Sequence, residues 1–481
     1  MGTIFSILLG LIYKNYISDN FDFDTLGALS FGISTISIIS IIISFGYKDS
    51  LVFFIPKYLA LNEPSKLVNH IKSTILINLI SLSFILLFII FANNVFAVKI
   101  LTYKSFNIYI YHFFLLLFLN SFVAIGVEIV NGYEKINFSI MVEKFLKLPI
   151  KVLFAYILIN IELKFSGVLW AEILASSFAL FLFTYFIFKL FKSNNTLNEN
   201  LKSHPKLLES EKTYIKNIYL NNILSNTVDY SIILIIIFYT SYKTLGVYTL
   251  LNSFSFFITI ILLSINSVLK PIISRLFAKN DINTIKKYFS LSSKIIFTFT
   301  IPIFLIMYVL IDPITFYFNL NLPGTETLLA LLIIGQLINA LKGPVFITLR
   351  MMGFSEDLKK NHIIIFVINF LLYGIFVSKY GLVGIGIASI LSYTFQAFLG
   401  SLTLYVRTKI HMFDKGYINH ILLSLFLAGI IYYIQTFSKV IDNNYKVILI
   451  KFLIIFIFFI INFIYLTKKN SIKIYFNTKK I

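Results

Sequence analysis

The sequence predicts an all-α polytopic membrane protein of about fourteen transmembrane helices. It predicts two parallel six-helix repeats plus a C-terminal helix pair. Three observations carry this. Of the 481 residues, 58% are hydrophobic and 13% are charged, with a mean hydropathy of +0.88. Soluble domains carry roughly 25% charged residues, and no globular core could hide so much apolar surface. Apolar runs of spanning length recur along the whole chain, and the basic residues between them fall alternately on one side.

Crossing the hydrocarbon takes about 20 helical residues. Apolar segments are read at 4–18, 27–55, 71–92, 106–131, 138–160, 166–191, 215–239, 247–271, 288–311, 327–350, 361–378, 384–406, 417–437 and 446–467. The first is short. Met1-Gly2-Thr3-Ile4-Phe5-Ser6 fits an acylation pattern, but the same residues simply begin a hydrophobic helix. No basic region followed by a small-residue cleavage site is visible, so a removed signal peptide is not expected. The longest polar stretch, 192–214, reads as a cytoplasmic linker. It divides the chain into an N-terminal lobe (1–191) and a C-terminal lobe (215–406), with a helix pair and basic tail at 407–481.

With both termini inside, 26 Lys/Arg fall on the cytoplasmic side, 7 on the outer side and 8 within helices. That distribution follows the positive-inside rule. It accounts for the net charge of +20 without nucleic acid and points to a cytoplasmic (inner) membrane. There is no cysteine, and the six histidines are scattered, so neither disulfides nor a metal motif is expected. No cofactor is expected beyond a coupling ion.

The halves echo each other. Thr25-Leu26-Gly27 and Thr244-Leu245-Gly246 open long apolar helices 219 residues apart. Ala60-Leu61-Asn62-Glu63 and Ala278-Lys279-Asn280-Asp281 occupy the next inward loops, Gly132 and Gly353 close the fourth helix of each half, and Gly167 and Gly384 begin the sixth. Six helices separate the copies, so both insert the same way up. Such parallel repeats place a substrate site between halves.

Three stretches carry a family likeness: Phe45-Gly46-Tyr47-Lys48-Asp49-Ser50 running on to Tyr58, the segment Asn339 to Gly353, and Lys379-Tyr380-Gly381-Leu382-Val383-Gly384 with its following helix. On these the chain resembles the Wzx-type polysaccharide-export flippases of the multidrug/oligosaccharidyl-lipid/polysaccharide exporter superfamily. The resemblance implies movement of an undecaprenyl-diphosphate-linked oligosaccharide across the membrane by alternating access, coupled to H⁺ or Na⁺. It implies a bilayer environment, and a glycan polymerase and other polysaccharide-assembly proteins as partners. Family members often carry an arginine near Phe53; this chain does not.

Ionisable residues inside spans are the default site candidates, because burying an unpaired charge there costs several kcal/mol. Lys144, Lys147 and Lys151 stand at helical spacing on one face and suit a diphosphate; snorkelling to headgroups is the plainer reading for the first two. The corresponding second-half positions, near Ile365, Ile368 and Leu372, are apolar. Lys48 and Lys342 are further headgroup candidates, the latter beside Gly343 and Pro344. Asp229 and Glu128 are candidates for ion coupling, with structural pairing as the alternative, and Glu172 ranks below them. A lipid II flippase would share the diphosphate cargo. The lysines argue against a drug/cation antiporter, because they would repel a cationic drug. A membrane glycosyltransferase or polymerase would want a sizeable outer loop, and the longest, 312–326, is short.

Overall fold

The computed structural model describes residues 2–95, 106–193, 209–320 and 322–411. The helix pair expected at 417–437 and 446–467 lies outside the described residues, as does most of the expected linker. Every regular element among the described residues is helical. The chain divides into two compact units, residues 1–246 and 247–481.

The first unit holds α1 (Gly2–Asn20), α2 (Phe23–Ile43), α3 (Tyr47–Ala60), α4 (Pro64–Val95), α5 (Phe106–Gly132) and the short α6 (Ile136–Ile140). A π-helical turn, Met141–Lys147, leads into α7 (Leu148–Asn160), followed by α8 (Lys164–Ser193), α9 (Glu209–Tyr239) and the start of α10 (Tyr242–Ser255). Asp22 caps α2, its carboxylate accepting from the Thr25 amide at 2.9 Å and the Thr25 hydroxyl at 2.7 Å.

The apolar segment 27–55, expected as one helix, is two. Phe45 (φ 43°) and Gly46 (φ 79°) turn left-handed and separate α2 from α3. Gly46 is required twice over: its φ suits glycine, and a Cβ there would stand 2.6 Å from the carbonyl oxygen of Ile215. Below the break, Leu51, Phe54, Ile55 and Tyr58 of α3 pack on Leu67 and Ile71 of α4 and on Ile125 and Ile129 of α5. The C-terminal half of α4 is bare by contrast, with Phe84 69% and Phe88 68% exposed. In water such a face would be an aggregation liability, whereas a bilayer covers it with hydrocarbon.

The second unit continues α10 through a 3₁₀ turn (Phe256–Thr259) into α11 (Ile260–Ala278), α12 (Ile282–Val309), α13 (Ile311–Tyr317), α14 (Thr325–Leu341), α15 (Val345–Met351) and α16 (Ser355–Thr408). Gly343 (φ 67°) and Pro344 split the segment expected at 327–350 into α14 and α15. The 54 residues of α16 form a hairpin about Gly381 (φ 52°, ψ −123°), as its Tyr-Gly turn predicts. Polar bridges join its two arms: Ser392 donates to Asn369 Oδ1 at 2.6 Å, and Asn361 to Thr403 Oγ1 at 3.0 Å. At the open end Arg407 binds Asp357 through two nitrogens, at 2.7 and 2.8 Å. Eight of these helices or helix runs, α16 among them, are long and apolar enough to cross a membrane.

The repeat is written in the backbone. Asn62 (φ 53°) and Asn280 (φ 58°) both end a helix in the left-handed conformation. The following amides, Glu63 and Asp281, donate back to Tyr58 and Leu276 at 2.9 and 3.0 Å. These are the same helix-ending loop built twice. Leu51, Ile55, Leu67 and Ile71 recur as the buried Leu269, Ile273, Ile285 and Phe289, each 218 positions on. One pairing needs correcting. The counterpart of Gly353 (φ 81°) is Glu134 (φ 61°), not Gly132. Lys135 donates to Val130 as Phe354 donates to Leu349, both at 3.1 Å. Gly132 is small for a different reason, its Cα facing Ile55, whose Cβ would lie 2.9 Å from an added methyl.

Candidate functional site

Within the first unit, α2, α3, α5, α8, α9 and the segment from the π turn into α7 enclose a cavity of about 490 Å³. Its walls combine Ile33, Ile36, Ser37, Ser40 and Ile41 of α2 with Lys48, Asn120, Glu143, Lys144, Lys147, Lys151, Glu172 and Tyr230. The structure therefore gathers four of the five lysines that the sequence singles out.

Local structure explains how. The π turn Met141–Lys147 widens the helix just before Pro149, which occupies the first turn of α7 and donates no amide. Lys144 and Lys147 lie in that turn and Lys151 one turn further along. Lys147 donates to Asn120 Oδ1 on α5 at 2.8 Å, and the Ser176 hydroxyl of α8 donates to the same oxygen at 3.0 Å. The ammonium is thus held by a neutral acceptor at the cavity wall. Lys151 Nζ stands 3.1 Å from Glu172 Oε1 and 4.2 Å from the ring centre of Tyr13, whose hydroxyl donates to Glu172 Oε1 at 3.1 Å. Lys48 enters from the first turn of α3, directly after the left-handed break, 3.7 Å from Asp49 Oδ1.

The remaining candidates lie elsewhere. Glu128, on α5, does not line the cavity; Lys48, Asp49 and Glu143 are its charged neighbours. The side chain of Asp229 lies outside the described residues. Lys342 belongs to the second unit, where it caps the end of α14 with its ammonium 5.0 Å from the Phe346 ring centre. Among the described residues no His, Asp and Glu cluster suited to a metal ion occurs.

The sequence ranks Glu172 below Asp229 and Glu128 and does not single out Tyr13, Lys14 or Asn120; the structure places Glu172 and Asn120 in the cavity wall and Tyr13 and Lys14 beside it. Glu172 and Lys14 carried the available signal, an ionisable residue within an apolar helix. Lys14 proves to be a charged neighbour of Lys151. Asn120 carried none, because a lone asparagine in an Asn-rich chain does not stand out.

Chemically, the cavity sets ammonium and carboxylate groups beside a hydroxyl- and amide-lined wall. Four lysines face two carboxylates across a space open to Ser37 and Ser40. Charge-assisted hydrogen bonds of this kind are the strong ones for phosphate oxygens.

The chain matches the family model described as polysaccharide biosynthesis protein over residues 1–277, and that described as MatE over residues 218–375. No curated protein matches it. Among solved structures, it is similar to the lipid II flippase MurJ in an inward closed conformation, with 15% identity, 96% of each chain covered and a TM-score of 0.71. It is also similar to a multidrug resistance MATE family transporter of the MOP superfamily in its inward-facing conformation, with 14% identity, 85% of this chain and 95% of that one covered and a TM-score of 0.67. The Vibrio cholerae MATE transporter VcmN, in its bent form, gives 14% identity, 85% and 96% coverage and a TM-score of 0.54. At these identities the structural likenesses speak for the fold. The matched models and neighbours are membrane transporters and flippases, not enzymes. Matched by the first model over more than half of its 481 residues, the chain belongs to the polysaccharide biosynthesis protein family.

Proposed function

We propose that the protein flips an undecaprenyl-diphosphate-linked oligosaccharide to the outer leaflet of the cytoplasmic membrane of a bacterium or archaeon. It would do so by alternating access, for O-antigen, capsule or exopolysaccharide synthesis. The observation that carries the reading is the cavity in which Lys48, Lys144, Lys147 and Lys151 converge. A diphosphate crossing a low-dielectric region needs fixed cations, and this wall supplies them where a membrane protein otherwise avoids charge. Family membership supports the glycan cargo, and the cationic lining disfavours cationic drugs by like-charge repulsion.

In this reading Lys342 is a second headgroup contact, and Asp229 and Glu128 couple export to H⁺ or Na⁺. Both termini are cytoplasmic, and a glycan polymerase and other assembly proteins act on the product. A lipid II cargo would present the same diphosphate to the same lysines. The two are separated by asking which lipid-linked sugar accumulates in cells depleted of the protein. The direct test is complementation of surface-glycan export with the K147M/K151M double variant. Lost export with normal membrane levels is expected. Wild-type export would overturn the assignment of the site.

A further inference from the structure

We propose that Glu172 is a built-in competitor for the headgroup: it holds Lys151 in the empty carrier and yields it to an incoming diphosphate. The inference rests on the reading above that this cavity takes a diphosphate.

Three helices cooperate in the arrangement. Glu172 on α8 places one oxygen, Oε1, 3.1 Å from the Lys151 ammonium of α7 and 3.1 Å from the Tyr13 hydroxyl of α1. The ammonium in turn stands 4.2 Å from the centre of the Tyr13 ring. Both charged residues line the cavity, so the pair is a wall component that an anion can reach rather than a bridge sealed in the core. Lys147 differs. Its hydrogen-bond partner is the neutral Asn120, and Glu172 and Glu143 act on it only as charged neighbours rather than as an ion-pair partner.

Two consequences follow from charge balance. An unpaired buried ammonium is costly in an empty carrier, and Glu172 offsets part of that cost. Once a diphosphate supplies the countercharge, Glu172 becomes an adjacent like charge that weakens the complex, while Tyr13 still offers its carboxylate a hydrogen bond. A carrier gains from this, because a headgroup held by Lys147 together with an unopposed Lys151 would be slow to leave. Glu172 therefore sets affinity and release and is a positioning residue for Lys151.

The test is equilibrium binding to the purified full-length protein in detergent, with farnesyl diphosphate and inorganic pyrophosphate as separate probes. E172Q keeps the acceptor for Tyr13 and removes the charge. It should bind farnesyl diphosphate about tenfold more tightly, equivalent to about 1.4 kcal/mol, and turn over more slowly in a vesicle flipping assay. The gain should vanish in the K151M background. The pyrophosphate arm shows whether a free anion suffices or the lipid-borne headgroup is needed, and the proposal holds in both cases. A merely structural ion pair predicts the reverse, with E172Q less stable and binding no better; equal or weaker affinity overturns the proposal. Should E172Q not yield monodisperse protein, E172D replaces it. Its shorter side chain draws the carboxylate back from Lys151, and binding tighter than wild type is expected, with unchanged or weaker binding again overturning the idea. Failure of wild type and variants alike to bind either probe would instead remove the diphosphate reading, and this proposal with it.

Discussion

Gly27 and Gly246 meet face to face within the first unit, each lying against the backbone of the other's helix. A Cβ added to Gly27 would overlap the Tyr242 carbonyl and come 3.0 Å from the Gly246 nitrogen. One added to Gly246 would overlap the Phe23 carbonyl and come 3.1 Å from the Gly27 nitrogen. The contact is reciprocal, and its members stand 219 residues apart in the chain, so two copies of one motif recognise each other. Close approach of this kind is how membrane helices compensate for the lack of a hydrophobic driving force between them.

Gly27→Ala and Gly246→Ala should therefore each lower the melting midpoint of the detergent-solubilised protein. The expected loss is about 1–3 kcal/mol, since the obstructing atoms are backbone and cannot swing away. Gly10→Ala is the control. Nothing lies within 4 Å of a Cβ there, and the change should be neutral or mildly stabilising.

Lys147 predicts a functional loss without a folding loss. Lys147→Met removes a charge-assisted contact of about 1.5–3 kcal/mol, or roughly 10- to 100-fold in headgroup affinity. Titration of the purified variant with farnesyl diphosphate checks this. Asn120→Ala should produce a smaller loss in the same assay, because the ammonium remains but is no longer held.

Glu211, in the first turn of α9, is buried against α3. It accepts from the Tyr58 hydroxyl at 3.0 Å and from Lys57 Nζ at 3.3 Å. Glu211→Ala strips the buried Tyr58 hydroxyl of its acceptor and should cost about 1–3 kcal/mol in thermal unfolding. Glu211→Gln keeps an acceptor and should cost clearly less. Lys57 is more exposed, and its pairing adds little.

Asp281, at the start of α12, predicts a pH dependence. Hydrogen bonds from the Thr284 hydroxyl and amide, aided by Lys287, hold its carboxyl below the usual aspartate range. A lowered folded value means that the cap's contribution is complete above the unfolded value of about 3.9. It is lost as pH falls through the folded value. The melting gap between wild type and Asp281→Ala should be constant from neutral pH to about 5 and narrow below about 4, as melting curves across that range would reveal.

Much of the helical architecture was legible in the sequence, because hydropathy responds to the membrane itself. The Asn62 and Asn280 loops and the Gly381 turn were visible for the same reason that they work, since few residues suit a left-handed backbone. The break at Phe45-Gly46 was hidden inside an apolar run, where hydropathy does not change as the backbone turns, whereas Gly343-Pro344, a pair that can loosen a helix, stood out beside Lys342. Gly132 was mistaken for the partner of Gly353, because a glutamate, Glu134, fills the left-handed position where glycine is expected. At the site, the lysine stripe announced itself by spacing. Its partners Glu172, Tyr13 and Asn120 lie on other helices, and no one-dimensional pattern joins them.

The π turn at Met141–Lys147 has an evolutionary meaning. Ahead of it, matching positions of the two halves are 219 residues apart, as with Glu134 and Gly353; beyond it, Gly167 and Gly384 are 217 apart. The first half thus carries extra chain across this interval, and a π turn is what an α-helix becomes when it absorbs an inserted residue. The duplicated ancestor needs no cationic wall on this account. An insertion in one copy, followed by substitution to lysine, would turn an ordinary packing helix into the charged side of an asymmetric carrier. Deleting a single residue from 141–147 should reverse that insertion, relaxing the wide turn to regular α-helix while Lys151, beyond the absorbed residue, keeps its place beside Glu172.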